Sequence, residues 1–493
     1  MIRYISTRGK GEPRTAASAV IKGISEDKGL FVPETVPELP FQPADMVGRK
    51  YKDVARAVIA AFFDDYTEEE IQSCVDGAYD NKFEAEDIVP VKEAGGAHFL
   101  ELYHGRTAAF KDMALSILPY LMTTAVRKEN EDKKIVILTA TSGDTGKAAL
   151  EGFADVEGTE IIVFYPSTGV SEVQKRQMTT QEGANTHVFG IRGNFDDAQT
   201  GVKKIFDDQA FNEALMAEGC RLSSANSINI GRLIPQVAYY VYGYIRLIEQ
   251  GVIRDGDPVN IVVPTGNFGN ILASYYASLM GIPVKKFICA SNRNKILTDF
   301  INTGIYDTHR EFHVTCSPSM DILISSNLER LLYHLSGDSL EISELMEELS
   351  QNGKYEAGEG IRKGMKDFYG GFADDEETLD TITAMYKDHG YLMDTHTAVA
   401  YKVYSDYRKA TGDGTPTLIA STASAYKFAS NVASALGLPE AADGFAAVRE
   451  LEKETGVPVP SGLRDLENKE IRHESVIDRD GLKEAILASL KQE

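Results

Sequence analysis

The pattern of apolar and polar positions changes character once along the chain. Over residues 1 to about 90 strand signals are few. The clearest element there is Lys52-Asp-Val-Ala-Arg-Ala-Val-Ile-Ala-Ala-Phe-Phe63, whose apolar positions recur three and four apart and predict a helix. Beyond it, unbroken apolar runs alternate with helix-like stretches. Residues 134–139 and 160–165 each read as a strand covered on both faces. Helices are expected from Lys147, over 171–181 and over 196–208, with a strand at 186–191. Leu233, Val237, Val241 and Ile245 share one face of a longer helix that starts near Gly231 and places Pro235 in its first turn. Strands at 259–263, 284–290 and 417–420 and a helix at 271–280 continue the series. Residues 330–380 are charged and glycine-punctuated, and read as a helical insertion on the surface. Repeated β-α-β units imply an α/β fold of mainly parallel sheets with helices on both faces.

Three loops share one logic: a buried strand ends, small residues turn the chain, and a helix begins. They are Thr141-Ser142-Gly143-Asp144-Thr145-Gly146, Pro264-Thr-Gly266-Asn267-Phe268-Gly269-Asn270 and Ala420-Ser-Thr422-Ala-Ser424. Free backbone N–H groups at a helix start attract anions, and glycine lets a ligand approach closely. None has phosphate-loop or dinucleotide-loop spacing. Singly, each is a tight turn; three in one sheet point to a composite anion site. Lys111 follows the apolar Phe110 at the start of a helix expected over 112–122. Positive backbone dipoles and partial burial there disfavour the charged amine, and a neutral amine can form a Schiff base. From these residues alone, a solvated helix lysine is the other reading.

The 493 residues leave room for two to four domains. With 51 basic against 74 acidic residues, the net charge of −23 repels nucleic acid and anionic membranes, so neither is expected as a partner. Cys74, Cys220, Cys289 and Cys316 are scattered without a C-x-x-C pair, and read as reduced thiols. His104, His187, His313 and His396 lack metal-ligand spacing, so no metal site is expected. Neither a leader-like N-terminus nor an uncharged apolar run of about 20 residues is present, and a cytoplasmic protein is expected.

Several segments occur together and in order. They are Tyr4-Ile-Ser-Thr-Arg-Gly9, His104-Gly-Arg-Thr-Ala-Ala-Phe-Lys111-Asp, the loops at 141–146 and 264–270, Asn226-Ser-Ile-Asn-Ile-Gly-Arg-Leu-Ile-Pro-Gln236, Ser317-Pro-Ser-Met-Asp321 and Asp394-Thr-His-Thr-Ala398. With them the chain resembles the threonine synthase family over nearly its whole length. The resemblance implies the tryptophan-synthase-β-like architecture (fold type II): two parallel-sheet α/β domains with pyridoxal 5'-phosphate between them. Residues 1–92 would form a mostly helical N-terminal region, 93–210 the smaller domain with the cofactor lysine, and 211–493 the larger one with the phosphate loop.

By the same resemblance Lys111 carries the cofactor, Gly266, Asn267, Phe268, Gly269 and Asn270 cradle its phosphate, and Thr422 stands beside the pyridine nitrogen. A hydroxyl there leaves that nitrogen largely unprotonated and the ring a weaker electron sink. Ser142, Asp144 and Thr145 would face the substrate carboxylate. Arg232 is the choice for the substrate phosphate, since a guanidinium matches it bidentately; a surface salt bridge is its other reading. The implied reaction turns O-phospho-L-homoserine and water into L-threonine and phosphate, in a monomer or small homo-oligomer. A threonine dehydratase, a cysteine-synthase-like enzyme or a silent binder of phosphorylated amino acids would share much of this. Arg106 stands where family members often carry proline. Asp144 stands where distant relatives set an Asn against the cofactor's phenolic oxygen, a contact a carboxylate would repel.

Overall fold

The apolar runs build two separate parallel sheets. A computed structural model describes residues 1–130, 132–141, 143–167 and 170–491. The smaller sheet has five strands in the order Val476–Ile477, Thr186–Ile191, Thr159–Pro166, Lys134–Ala140 and Cys220–Ser223, all parallel. The larger has six, in the order Phe368–Phe372, Val284–Ser291, Val259–Pro264, Thr417–Ser421, Ala97–Glu101 and Val91–Ala94, parallel except for the last pair. Their central strands are buried on both faces, which is why they read as continuous apolar runs.

Helix Ile230–Glu249 is buried along nearly its whole length and packs against helices Tyr51–Phe62 and Gly269–Leu279. Side chains from both sheets and from the N-terminal helices join one core around it. This is the two-sheet α/β architecture of the fold type II class with a largely helical N-terminal region. Among the described residues no helix is long and apolar enough to cross a membrane.

Five details differ from the sequence expectations. The three strand-end loops do not share one sheet: the loop at 141–146 follows Lys134–Ala140 of the smaller sheet, whereas those at 264–270 and 420–424 follow Val259–Pro264 and Thr417–Ser421 of the larger. Strand membership crosses the expected boundaries at 92/93 and 210/211. Ala97–Glu101 belongs to the larger sheet, while Cys220–Ser223 and Val476–Ile477 belong to the smaller. A strand joins the sheet where its edge hydrogen bonds are satisfied, not where the chain is nearest. The helix expected over 112–122 is two, Asp112–Leu115 and Leu118–Lys128, because Pro119 has no N–H to continue the ladder and starts the second instead. Pro235 lies inside its helix, past the first turn, since the helix capped by Asn229 starts at Ile230 and its first turn ends before Pro235. The Gln236 side chain donates through Nε2 to the Arg232 carbonyl (2.7 Å) beside the proline. The segment 330–380 is not only a surface insertion, since Phe368–Phe372 forms the edge strand of the larger sheet.

Candidate active site

Lys111 immediately precedes the short helix Asp112–Leu115, and the strip before it is pinned by the third loop. The Phe110 amide donates to the Thr422 carbonyl (2.8 Å), the Ser424 amide donates to the Ala108 carbonyl (3.0 Å), and Ala109 pairs with Ala423. Thr422 is thereby held beside Lys111, with its own amide donating to Thr397 Oγ1 (3.3 Å). The Lys111 side chain is 12% exposed, and its Nζ lies 3.6 Å from Asp144 Oδ2 and 4.8 Å from the centre of the Phe110 ring. Burial draws the amine below the ordinary lysine range; Asp144 opposes that, while Lys427 and Arg232 add to it.

Asp144 opens helix Asp144–Phe153 behind Gly143, whose φ of 151° and contact with the Gln174 side chain leave no place for a Cβ. Its carboxylate accepts from Lys427 Nζ (2.8 Å) and Gln174 Nε2 (2.9 Å) and lies 3.5 Å from Ser319 Oγ. Burial alone would raise this acid, but the flanking Lys427 and Lys111 hold it ionised, well below the usual carboxylate range. Thr145 follows on the same turn, partly exposed, while Ser142 lies outside the described residues.

The second loop turns through Phe268, buried and at φ 64°, into helix Gly269–Leu279. The Gly266 carbonyl accepts from Ser325 Oγ (2.7 Å), and the Asn267 carbonyl from the amide and side chain of Asn327 (both 3.0 Å). A Cβ at Gly266 would lie 2.7 Å from the Ser319 carbonyl, whereas one at Gly269 would meet nothing closer than 3.6 Å among the atoms around it. Asn270 Oδ1 accepts from the hydroxyls of Tyr239 (2.7 Å) and Tyr240, leaving its buried Nδ2 without a partner among the described residues. Arg232 is also buried. One of its nitrogens donates to the Ala225 carbonyl (2.9 Å), its Nε has no partner, and no carboxylate pairs with it among the described residues, so the surface salt bridge is not observed. Burial lowers the guanidinium to about 10.

An amine that burial draws below the ordinary lysine range, a helix N-terminus with room at Gly269, and buried donors lacking acceptors among the described residues together suit an anionic aldehyde such as pyridoxal phosphate. Lys427, Gln174, Ser319 and His396 complete the site without having been expected in it. His396 Nε2 accepts from the Ser319 amide (3.1 Å), so it stands behind Ser319, and its Nδ1 is 2.7 Å from Asp394, which stands one step further back. Arg106 is an exposed residue paired with Glu151 (3.0 Å).

The family described as "Threonine synthase N terminus" matches residues 3–79, "Pyridoxal-phosphate dependent enzyme" residues 92–422, and "Threonine synthase, C-terminal" residues 397–486. Threonine synthase of Pseudomonas aeruginosa is 38% identical over 83% of this chain and 85% of its own. Threonine synthase-like 1 of Homo sapiens is 40% identical over 86% of this chain, which spans only 58% of that protein's length. The crystal structure of the Brucella melitensis threonine synthase bound to pyridoxal phosphate superposes with a TM-score of 0.88 at 33% identity, covering 100% of both chains. The yeast enzyme gives 0.87 at 32%, covering 100% of this chain and 99% of its own.

Proposed function

The chain belongs to the threonine synthase family of pyridoxal-phosphate enzymes, and on that premise we propose that it converts O-phospho-L-homoserine and water into L-threonine and phosphate. The observation that carries this reading is Lys111: a buried amine drawn toward its neutral form beside Thr422 and within reach of Asp144.

The cofactor, when bound, supplies an electron-withdrawing ring that acidifies the carbon–hydrogen bonds of the amino acid attached to it. Lys111 would hold it. Backbone amides of Gly266, Asn267, Phe268, Gly269 and Asn270 would hold its phosphate at the start of helix Gly269–Leu279, with the unpartnered Asn270 Nδ2 as a further donor. Thr422 would serve the pyridine nitrogen with a neutral hydroxyl. Lys111 Nζ, once free and uncharged, can take and return protons at the substrate's α and β carbons. Arg232 suits the substrate phosphate, because among the described residues its buried cation meets no carboxylate and its Nε has no partner. Ser142 and Thr145 flank Asp144 in the loop assigned to the substrate carboxylate.

The test is a phosphate-release assay with O-phosphohomoserine, the second product being identified. Threonine formed in step with phosphate is expected. Turnover of threonine or of another amino acid without phosphate release from phosphohomoserine would overturn the assignment.

A further inference from the structure

One buried carboxylate faces two lysines. Lys427 Nζ lies 2.8 Å from Asp144 Oδ1 and donates to the Thr107 carbonyl (2.8 Å) and toward Gln177 Oε1 (3.4 Å); its side chain is fully buried. Lys111 Nζ is farther from the same carboxylate, at 3.6 Å, and retains some exposure. A fully buried ammonium must be paired, so the charge of Asp144 is committed to Lys427. Lys111 is then left beside a carboxylate already neutralised, while the charge of Arg232 also disfavours its protonated form.

We infer that Lys427 is a positioning residue: by holding Asp144 in an ion pair it keeps the Lys111 amine free to take up an aldehyde or a proton. The pairing also permits an acidic residue in a site that accommodates an anionic cofactor, since Asp144 and Lys427 together carry no net charge. Few other charged groups face the pair. Asp112, beside Lys111, is tied to the Thr107 amide (2.8 Å) and hydroxyl (2.5 Å) and is pushed by burial to about 6. Lys147 and Glu151, farther along the Asp144 helix, pair with each other at 3.1 Å. Gln174 and Ser319 contact the carboxylate without charge, and His396 reaches the site through the amide of Ser319 while its other ring nitrogen is 2.7 Å from Asp394. The inference rests on Lys111 being the cofactor lysine. If that reading fails, borohydride fixes the cofactor on another residue. If only the inference fails, the cofactor maps to Lys111 but the shifts below are absent.

The full-length protein, freed of cofactor, is labelled with trace acetic anhydride across a range of pH, and label on Lys111 is read by peptide mapping. Lys427→Gln keeps a donor for Thr107 but loses the charge, leaving Asp144 to hold Lys111 as an ammonium. Labelling near neutral pH should fall about tenfold, the effect of one unit in pKa. Lys427→Arg should restore it. Asp144→Asn should move it the other way, raising labelling severalfold. An unshifted profile in Lys427→Gln, or a shift of the same sign in both charge-removing variants, would overturn the inference. If Lys427→Gln does not fold, Asp144→Asn decides: unchanged or lower labelling overturns it.

Discussion

Gly266 and Gly269 share a loop and are glycine for different reasons. At Gly266 a methyl group would press on the Ser319 carbonyl, so Gly266→Ala should destabilise the chain itself, by about 1–3 kcal/mol in urea unfolding. At Gly269 the surrounding atoms leave room, so Gly269→Val should cost cofactor retention more than it costs fold stability. Each hydrogen bond lost to a charged group is worth about 1.5–3 kcal/mol, or roughly ten- to a hundredfold in affinity. Retention after dialysis equal to the parent would place the phosphate elsewhere. Thr422 sets a second contrast, in the chemistry. Thr422→Asp should protonate the pyridine, shift the visible absorbance and divert turnover to abortive products, whereas Thr422→Ser should be nearly silent. An unchanged spectrum in Thr422→Asp with an inactive Thr422→Ser would mean that the residue packs through its methyl group. Lys111 stood out in the sequence because the segment His104-Gly-Arg-Thr-Ala-Ala-Phe-Lys111-Asp surrounds it. Lys427 left a fainter trace: it is the only charged residue between Asp413 and Glu440. That isolation signals burial, but it cannot name Asp144, a partner far off in the chain.

At the scale of elements, the segments that position chemistry are held by caps. Asn229 is buried, accepts from the Gly231 amide (2.9 Å) to start the long helix, and donates to the carbonyls of Val20 (2.9 Å) and Ser224 (3.3 Å). Arg232 rides on the first turn it sets. Asn229→Ala should therefore cost about 1–3 kcal/mol of stability and raise the KM for phosphohomoserine more than it lowers kcat. An equal fall in kcat with unchanged KM would detach Arg232 from substrate binding. Strands such as Lys134–Ala140 and Val259–Pro264 were readable because burial on both faces writes a continuous apolar run. Phe368–Phe372 was not, because Gly370 and Gly371 read as a turn. At Gly370 a Cβ would sit 3.0 Å from backbone atoms of Thr298, so glycine there answers a close approach. The hairpin at Gly95 and Gly96, both with positive φ, was likewise too short to show a period.

Across the whole molecule, distant segments brace the site. Arg8 pairs with Glu329 (2.9 Å), and the buried Arg330 donates to Phe31 (2.9 Å) and contacts Asn327, whose side chain supports the loop at Asn267. His104 joins three regions: its Nε2 is 2.9 Å from Glu101, its Nδ1 3.9 Å from Glu84, and Glu84 accepts from the Ser461 amide (2.9 Å). Burial alone would lower this imidazole, but the two carboxylates raise it to about 9 from 6.5. Its stabilisation is thus complete below pH 6.5 and is lost as pH rises through about 9, a contribution of about 3 kcal/mol at most. The gap in urea midpoint between the parent and His104→Gln should be widest near pH 6 and closed by pH 10; a constant gap would assign His104 to packing alone. Such ties were invisible in the sequence because nothing local marks a contact between remote residues. The strand Val476–Ile477, which completes the smaller sheet beside Thr186–Ile191, has a temporal consequence. On the ribosome, roughly 280 residues must follow Ile191 before its partner exists, some 15–60 s at about 5–20 residues per second. For that interval an apolar strand edge stands open in the nascent chain, a hazard that a chaperone can shield and that slow translation would prolong.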